Sequence, residues 1–448
     1  MKSESNTSLF QKILPSPFAL AIILTFLSFI LALGLTQNPN SEQSYVFGVL
    51  GFWQKGFWEL LTFAMQMMLM LVLGNVLALT PIFKGFISWV IRFANSTSSA
   101  VVLVALVSLV LAYFNWGLSL ILSALLAQQI GAKAKAEYKK LNYPLIGAAA
   151  YSGLMVWHGG FSGSAPLKVA EKGHFLYDQI GQINITQTLL SPMNISVVIA
   201  TLILIPLSFW ILSRRKNGMN YDLNSIEFDS LENEKEMDQA HGAERLDIRR
   251  WFNLGFGLLM IVAVVLGLWQ KQALAGLNIN SINMLLFALS LILYPNLRAF
   301  SKSVSSSISS SSGIMLQFPL YAGIMGVMKY SGLTTVFTDF FIQISTPDTF
   351  PLMAMISAGI VNFFVPSGGG QWAVQGPILM EAAQTLHVSI PKTIMALAYG
   401  DELTNMLQPF WALPLLGITK LKAKEILPYS ALILLLGIII FSLALLVF

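Results

Sequence analysis

Long apolar runs follow one another along the chain from residue 18 to residue 448, separated by short polar or glycine-containing breaks. An α-helix needs about 20 apolar residues to cross a hydrocarbon core roughly 30 Å thick. The runs do not alternate with a period of two, so they favour membrane-spanning helices over a β-barrel. The pattern predicts an all-α polytopic membrane protein. Helices are expected near residues 18–35, 58–80, 99–114, 117–130, 143–157, 189–212, 252–270, 283–298, 313–329, 350–365, 371–385, 391–405 and 428–448, with shorter pieces at 160–170 and 409–419.

Composition supports the same interpretation. Hydrophobic residues make up 55% of the chain and charged residues 10%, whereas soluble globular chains carry about 25% charged residues. The net charge is +5, but the basic residues fall in short loops, where they orient membrane helices rather than bind nucleic acid. The chain has no cysteine, which excludes disulfides and cysteine-ligated metals. No cofactor is expected.

Two polar segments divide the chain. Arg214 to Arg250 mixes acidic and basic side chains and predicts a solvated linker, and the serines of 301–312 are not expected to form a packed helix in lipid. Six segments are expected: 1–57, an N-terminal transmembrane helix and periplasmic loop; 58–212, a first repeat with its following helix; 213–250, a charged cytoplasmic linker; 251–312, connecting helices and a serine-rich linker; 313–427, a second inverted repeat; and 428–448, a C-terminal transmembrane helix.

The repeat is visible as landmarks that keep their order and spacing. A shift of 251 residues superimposes Asn115-Trp116-Gly117 on Pro366-Ser367-Gly368. A shift of 248 residues superimposes Ala150-Tyr151 on Ala398-Tyr399. Identity is low, but the matching order predicts a duplication.

Positive charges indicate how the two repeats are oriented, because lysine and arginine favour the cytoplasmic side. To keep both Arg92 and Lys133 on that side, residues 101–130 must enter the membrane and fold back at Asn115-Trp116-Gly117. The equivalent segment, 352–383, then folds back from the opposite side. The chain is therefore expected to contain two inverted-topology repeats with re-entrant hairpins and broken helices, an architecture of secondary transporters.

Four polar breaks interrupt the apolar segments, and each is costly in lipid unless it lines a cavity, because unpaired backbone groups cost several kcal/mol apiece. They cover residues 115–117, 157–166, 366–372 and 400–409. Glycine brings bare N–H groups close to a ligand, and a helix N-terminus carries partial positive charge that suits a carboxylate. The candidate substrate-binding residues are Asn115, Trp116, Gly117, Ser119, His158, Gly159, Gly160, Ser162, Ser164, Ser367, Gly368, Gly369, Gly370, Gln371 and Trp372. The alternative is that the glycines only pack helices closely.

Two further features of the breaks concern the substrate. No arginine is expected at the membrane midplane, which favours a small, singly charged anion over a dicarboxylate. Trp116, Trp157, Trp372 and Trp411 lie beside the breaks and are expected to enclose a short apolar group, unless they serve as interfacial anchors.

Asp401 and Glu402 follow an apolar run, where an ionisable group is costly and marks a candidate functional site. With Thr404 and Asn405 they are expected to bind sodium or to carry a proton, and the coupling ion stays open. One of the two carboxylates is expected to face the cavity, since successive helical side chains point about 100° apart; the alternative is a capping acid at a helix start. His158 suits a proton relay or a simple hydrogen bond to a neighbouring helix.

The string from Val365 to Pro377, VPSGGGQWAVQGP, resembles the short-chain fatty acid transporter family. The tracts 115–117, 157–166 and 400–405 are similar to that family as well, and the resemblance covers nearly the whole chain. It implies uptake of acetoacetate, butyrate and similar monocarboxylates across the bacterial inner membrane. The wider ion-transporter group of this family implies a scaffold domain and a moving transport domain built around the two hairpins.

The expected function is therefore that of a multi-pass secondary transporter of the inner membrane, cation-coupled and working by alternating access, with the bilayer and a small monocarboxylate as partners. Whether it forms a homo-oligomer stays open. The alternative is a C4-dicarboxylate or other organic-anion carrier of the same architecture. A membrane-embedded hydrolase would use Ser162 or Ser164 near His158, but the chain has neither a Gly-x-Ser-x-Gly elbow nor a His-Glu-x-x-His motif, so no enzyme activity is expected.

Topology is testable with single cysteines, since the chain has none of its own. Ser3→Cys, Ser230→Cys and Ser312→Cys are expected to resist a membrane-impermeant thiol reagent in intact spheroplasts, because the N-terminus and both linkers are predicted to be cytoplasmic. Gln43→Cys is expected to react. All four should react after permeabilisation, and reaction of Ser230→Cys from outside would overturn the inverted-repeat prediction.

Overall fold

The computed structural model describes residues 17–37, 44–59, 61–170, 172–174, 176–214, 221–226, 242–270, 279–308 and 312–448. Throughout these ranges the regular structure is helical and contains no strand. The helices of the first half are α1 (Pro17–Leu35), α2 (Tyr45–Phe57), α3 (Leu61–Ala78), α4 (Pro81–Val90), α5 (Thr97–Phe114), α6 (Trp116–Ala136), α7 (Tyr143–Tyr151), α8 (Ser164–Ala170), α9 (Tyr177–Ile180) and α10 (Pro192–Ser213). Those of the second half are α11 (Arg250–Gln270), α12 (Ile279–Leu293), α13 (Leu297–Ser307), α14 (Ser312–Tyr330), α15 (Leu333–Gln343), α16 (Phe350–Phe364), α17 (Gly368–Thr385), α18 (Ile390–Asn405), α19 (Pro409–Thr419) and α20 (Ala423–Val447).

Several helices carry surfaces that suit only lipid. Among the described residues, six spans are long and apolar enough to cross a membrane: Phe18–Leu35, Thr97–Phe114, Trp116–Ala136, Pro192–Ser213, Arg250–Trp269 and Ala423–Val447. On α1, for example, Phe26 and Ile30 are 66% and 67% exposed, which is stable against hydrocarbon rather than water. The prediction of an all-α membrane protein is confirmed.

Two runs of helices share one order. Helices α3 to α6 contain 18, 10, 18 and 21 residues, and helices α14 to α17 contain 19, 11, 15 and 18. Each run continues with a broken helix, α7 and α8 or α18 and α19, and closes on a long helix, α10 or α20. This order is the one expected of a duplicated chain; the opposite orientation of the two halves stays a prediction.

Each run contains a helical hairpin whose turn is set by a capping side chain. In the first hairpin, α5 and α6, Asn115 has an extended backbone and its Oδ1 accepts the N–H of Leu118 at 2.8 Å. In the second hairpin, α16 and α17, Ser367 is extended and its Oγ accepts the N–H of Gly370 at 3.2 Å. Asn and Ser are favoured N-caps for this reason. The turn of each hairpin therefore leads directly into the N-terminus of its second helix. The first residues of these helices, Trp116 and Gly368, are buried.

Helices α2 and α14 cross at a pair of glycines. A Cβ added to Gly56 would lie 2.4 Å from the Cα of Gly326, and one added to Gly326 would lie 2.5 Å from the Cα of Gly56. Beside this crossing, Gly323 faces the indole of Trp53. Helix α1 also packs on α14, so the N-terminal helix pair is attached to the beginning of the second run.

Helix α2 lies where the sequence predicted only a periplasmic loop within residues 1–57, so that part of the prediction is wrong. Its 13 residues are too few to cross the hydrocarbon core, and a length criterion therefore misses it. Packing on α14 stabilises it instead.

The prediction of a serine-rich linker at 301–312 is wrong over most of that range, since α13 continues to Ser307. The helix predicted at 283–298 ends early, at Leu293 of α12, and Asn296 caps α13 by accepting the N–H of Ala299 at 2.8 Å. Serine hydroxyls within α13 bond to carbonyls three or four residues earlier. Such bonds satisfy serine inside a helix.

Much of the predicted cytoplasmic linker, residues 215–220 and 227–241, lies outside the described residues, as do the labelling positions 3, 43 and 230. In its described part, the hydroxyl of Tyr221 donates to Oε1 of Glu425 at 3.0 Å. Burial, followed by the nearby Glu425 carboxylate, raises the pKa of Tyr221, so the hydroxyl remains a donor. This contact ties the linker to the start of α20.

Gly56→Ala is expected to lower the free energy of unfolding by about 1–3 kcal/mol, the usual cost of overpacking, because the new Cβ would collide with Gly326. Gly51→Ala on the same helix is the matched control, since nothing lies within 4 Å of its Cβ position. Thermal unfolding in detergent measures both proteins. Equal midpoints would show that α2 and α14 do not cross at these glycines.

Candidate functional site

Two adjacent carboxylates, Asp401 and Glu402, lie inside the protein near the end of α18, with exposed fractions of 0% and 1%. An ionisable group within a membrane is costly unless partners surround it. Hydrogen bonds to these two side chains come from the break at 157–166, and the tip of the second hairpin at Gly368 lies beside Asp401.

The break predicted at residues 400–409 is shorter than expected. Helix α18 continues to Asn405, and the break covers residues 406–408. Gly400 serves a helix crossing rather than a turn, because a Cβ there would lie 2.1 Å from the carbonyl oxygen of Met355 on α16. Both carboxylates therefore project from a regular helical turn.

His158 joins Asp401 to the beginning of α8. Its Nδ1 is hydrogen-bonded to Oδ2 of Asp401, and its Nε2 accepts the backbone N–H of Ala165 at 3.1 Å. A nitrogen that accepts an N–H carries no proton, so these partners assign the proton to Nδ1. The imidazole thus bridges two helices as a neutral ring, which is compatible with both roles predicted for it.

Glu402 contacts the backbone of the same loop. Its Oε2 accepts the N–H of His158 at 2.9 Å and that of Gly159 at 3.4 Å. The loop 157–159 thus wraps across α18 and meets both side chains, and that only one of the two carboxylates faces the substrate cavity stays a prediction. The capping alternative is wrong, since both residues belong to the last turns of α18 rather than to a helix start.

The cluster is short of hydrogen-bond donors. Oδ1 of Asp401 and Oε1 of Glu402 are buried and accept no hydrogen bond from a described residue. In the described part of the chain, His158 is the ionisable side chain bonded to either carboxylate, and no lysine or arginine pairs with them. A buried unsatisfied acceptor costs about 1–3 kcal/mol, and more when it is charged. A proton or another cation would supply what these oxygens lack.

Asn362 on α16 holds the end of α18 from another side. Its Nδ2 lies 2.7 Å from the carbonyl oxygen of Asp401, 2.7 Å from Oδ1 of Asn405 and 3.0 Å from Oγ1 of Thr404. The two N–H groups of one amide are thus shared among three acceptors. Thr404 and Asn405, which the sequence grouped with the carboxylates as ion-coupling residues, face this amide.

Sequence reasoning missed three residues of this network: Asn362, Tyr151 and Gln408. The hydroxyl of Tyr151 donates to the carbonyl of Asn405 at 2.6 Å, and Nε2 of Gln408 donates to the carbonyl of Asn362 at 2.8 Å. Such bonds satisfy carbonyls that helix ends leave unpaired. A polar amide inside the apolar run 358–365 is the signal that marks Asn362.

The tip of the second hairpin lies against the His158–Asp401 pair. A Cβ on Gly368 would lie 2.8 Å from Cε1 of His158 and 3.1 Å from Oδ2 of Asp401. Gly369 is exposed, and the nearest atoms to a Cβ there belong to Ser164, 4.0 Å away. These glycines form the first turn of α17, earlier than its predicted start. An open helical turn therefore borders the carboxylate cluster.

Gln371 and Trp372, which the sequence placed among the substrate-binding candidates, are buried within the second hairpin. Nε2 of Gln371 donates to the carbonyl of Ala358 at 2.8 Å and to Oε1 of Gln375 at 2.9 Å. Trp372 is 1% exposed. The bonds of Gln371 hold α17 against α16.

The tip of the first hairpin is closed by packing. The N–H of Trp116 donates to Oγ of Ser162 at 3.1 Å, and a Cβ on Gly117 would collide with Sδ of Met70. Within the same hairpin, the hydroxyl of Ser119 donates to the carbonyl of Ser108 at 2.6 Å.

Two further candidate glycines are packed against neighbouring segments. A Cβ on Gly160 would lie 2.3 Å from the carbonyl oxygen of Tyr113, and one on Gly159 would lie 2.7 Å from Oδ1 of Asn194. The surroundings of these glycines fit the packing alternative, whereas those of Gly369 leave room for a ligand.

Three tryptophans form an apolar cluster beside the imidazole. The ring centroids of Trp116, Trp157 and Trp411 lie 5.2–6.1 Å apart, and Trp157 stacks on His158 at 4.5 Å. All three tryptophans are buried. The carboxylate cluster is therefore bordered by polar groups of α16 and α18 on one side and by the three tryptophans on the other.

Comparison with known sequences assigns the chain to a family. It matches the family described as short chain fatty acid transporter over residues 2–448. The chain belongs to the short-chain fatty acid transporter family. The resemblance seen in the 365–377 string is confirmed across the whole length, and family membership identifies a transporter and not an enzyme, which rules against the hydrolase alternative.

Relatives of this family member align from end to end. A protein of Escherichia coli strain K12, provisionally named a short-chain fatty acid transporter, is 36% identical over 452 residues, covering 100% of this chain and 99% of its own. A protein of Haemophilus influenzae with the same provisional name is 34% identical over 435 residues, covering 95% of each chain. Among solved structures, the YdaH transporter of Alcanivorax borkumensis aligns over 96% of this chain and 98% of its own, with 14% identity and a TM-score of 0.43.

A methyl group added at two neighbouring glycines is expected to give different results. Gly368→Ala presses a Cβ against His158 and Asp401 and is expected to cost about 1–3 kcal/mol of stability. Gly369→Ala is the matched control, because its Cβ has room and alanine is a better helix former than glycine. Thermal unfolding compares them, and equal destabilisation would contradict this placement of the hairpin tip.

Proposed function

We propose that this family member is a secondary transporter of short-chain monocarboxylates, such as butyrate and acetoacetate, that spans the bacterial inner membrane several times. The observation that carries the proposal is the open first turn of α17 at Gly369, beside the buried His158–Asp401 pair. Family membership and the names of both relatives support the substrate class.

The first turn of α17 is the proposed anion site. A helix carries about half a positive elementary charge at its N-terminus, and its first N–H groups have no partner within the helix. The hydroxyl of Ser164 lies 4.0 Å from the Cβ position of Gly369 and can donate to the same anion. A carboxylate binds such a turn without an arginine or lysine.

The tryptophan cluster is the proposed wall for the apolar end of the substrate. It borders the same loop as the anion site, because Trp157 stacks on His158. Burial of each CH₂ group contributes about 0.8 kcal/mol, so the three-carbon tail of butyrate gains about 2 kcal/mol there. A short-chain monocarboxylate therefore has a proposed site for its carboxylate and a proposed wall for its alkyl tail.

The charge of the site supports one carboxylate rather than two. Asp401 and Glu402 are acidic, and no described lysine or arginine is bonded to them. A second substrate carboxylate would add repulsion without a counter-charge. The site thus gives less support to the C4-dicarboxylate alternative.

Alternating access coupled to a cation is the proposed mechanism, because each hairpin tip touches the broken helix of the other half. Gly368 of the second half lies against His158 of the first, and Trp116 of the first half lies 5.2 Å from Trp411 of the second, measured between ring centroids. A site at the interface between halves suits inverted repeats that move against each other. A cation that neutralises Asp401 would act at this interface.

Uptake into proteoliposomes tests the proposal. Labelled butyrate and acetoacetate are expected to accumulate under an imposed sodium or proton gradient, applied separately, and labelled succinate is not. Preference for succinate would favour the dicarboxylate carrier, and absence of all uptake would contradict the proposal.

Gly369→Val is expected to reduce butyrate uptake by roughly tenfold or more, a loss of about 1.4 kcal/mol or more in anion binding, because the side chain fills the space above the N–H groups. Gly255→Val on α11 is the control, since that glycine is exposed with nothing within 4 Å of its Cβ position. Both variants should insert into the membrane. Normal uptake by Gly369→Val would place the anion elsewhere.

A further inference from the structure

We infer that the coupling cation is a proton that binds Nε2 of His158, and that the substrate carboxylate binds between this nitrogen and the backbone N–H of Ala165. The inference rests on the proposed function and names the ion which that function requires. It follows from the hydrogen bond that Nε2 makes.

Nε2 of His158 is a hydrogen-bond acceptor in the structure. The N–H of Ala165 donates to it at 3.1 Å, while the proton on Nδ1 faces Asp401. A proton added to Nε2 turns this acceptor into a donor, so that two donors then face each other. Both donors would be buried without an acceptor, which is costly for each of them.

A carboxylate between the two donors satisfies both. Its oxygens accept N–H groups at about 2.9 Å and have room for several donors. Ala165 and Ser164 belong to the same first turn of α8, and Ser164 is the residue nearest to the Cβ position of Gly369. The gap between Nε2 and Ala165 is therefore adjacent to the proposed anion site.

The surroundings of His158 suit a proton that arrives with an anion. The groups that face the imidazole or its neighbours are Asp401, Glu402 and Tyr399 on α18, Asn194 on α10, the N–H of Ala165 on α8, and Gly368 on α17. The hydroxyl of Tyr399 donates to Oδ1 of Asn194 at 3.0 Å and not to the imidazole. Asp401 is the counter-ion of the imidazolium. The proton adds one positive charge to the ring, and the substrate carboxylate adds one negative charge beside it.

Sodium is the competing ion, and several of the oxygens predicted to bind it already have a donor. The carbonyl of Asp401, Oγ1 of Thr404 and Oδ1 of Asn405 converge on Nδ2 of Asn362. An amide in that position satisfies the three oxygens without a cation. The bridging imidazole, in contrast, has a nitrogen that can take up a proton once the Ala165 N–H is displaced.

The arrangement links one proton to one monocarboxylate. Each N–H···O bond spans about 2.9 Å, so an oxygen placed between two donors that face each other needs more room than the 3.1 Å between Nε2 and the nitrogen of Ala165. Loading therefore moves the start of α8 away from the loop 157–159. The added charges cancel, so the loaded and unloaded carriers have the same charge.

Titration calorimetry counts the protons. Butyrate is added to the purified full chain in sodium-free medium at neutral pH, in two buffers with different ionisation enthalpies. The difference between the observed enthalpies gives the proton uptake per butyrate, and we expect about one.

His158→Gln is expected to reduce the count to about zero and to weaken butyrate binding by about tenfold or more. Glutamine can bridge Asp401 and Ala165 as the imidazole does, but it takes up no proton. His387→Gln, at an exposed histidine just after α17, is the matched control and should keep a count of one.

Each outcome decides the inference. A count of one that is lost in His158→Gln and kept in His387→Gln supports it. Butyrate binding without proton uptake, or only with sodium, overturns it and leaves the proposed function standing, and this holds even if His158→Gln fails to fold. A count that survives in His158→Gln but is lost in Glu402→Gln overturns it by placing the proton on Glu402. Absence of butyrate and acetoacetate binding overturns both.

Discussion

The carboxylates of Asp401 and Glu402 must be supplied with donors inside a membrane protein, and much of the surrounding structure meets that requirement. No described lysine or arginine is bonded to them, so backbone N–H groups and one imidazole take that role. The loop 157–159 lies where its peptide groups reach Glu402 while the ring of His158 reaches Asp401. The hairpin tip must then be glycine at position 368, because a side chain there would collide with the pair. One electrostatic constraint thus positions a loop and a hairpin from different halves.

The main ionisable residues of the site could be identified from the sequence because their cost is local. Asp401, Glu402 and His158 each interrupt an apolar run, which a single sequence reveals. The pairing of His158 with Asp401 spans 243 residues and depends on how the two halves pack, so no local pattern contains it. Asn362 falls between these cases. Its position inside an apolar run marks it as unusual, but the run does not reveal its hydrogen-bond partners.

The structural role of a glycine is the hardest to predict from the sequence. Gly400 permits a close helix crossing, while Gly369 leaves space beside a helix N-terminus, yet both stand within predicted breaks. Breaks predicted from glycine alone are therefore too long. The one at α18 begins too early, and the one before α17 ends too late. The caps at Asn115 and Ser367 are better guides, because a side chain that accepts a backbone N–H fixes where a helix begins.

The glycine crossing of α2 and α14 joins positions 56 and 326, which are 270 residues apart in the chain. A ribosome adding roughly 5–20 residues per second makes the second position about 14–54 s after the first. During that interval α2 is already synthesised, but the helix on which it packs does not yet exist. Biogenesis therefore requires a temporary neighbour for the N-terminal helices, either lipid or the insertion machinery, and α2 takes its final place only after the second half has been made.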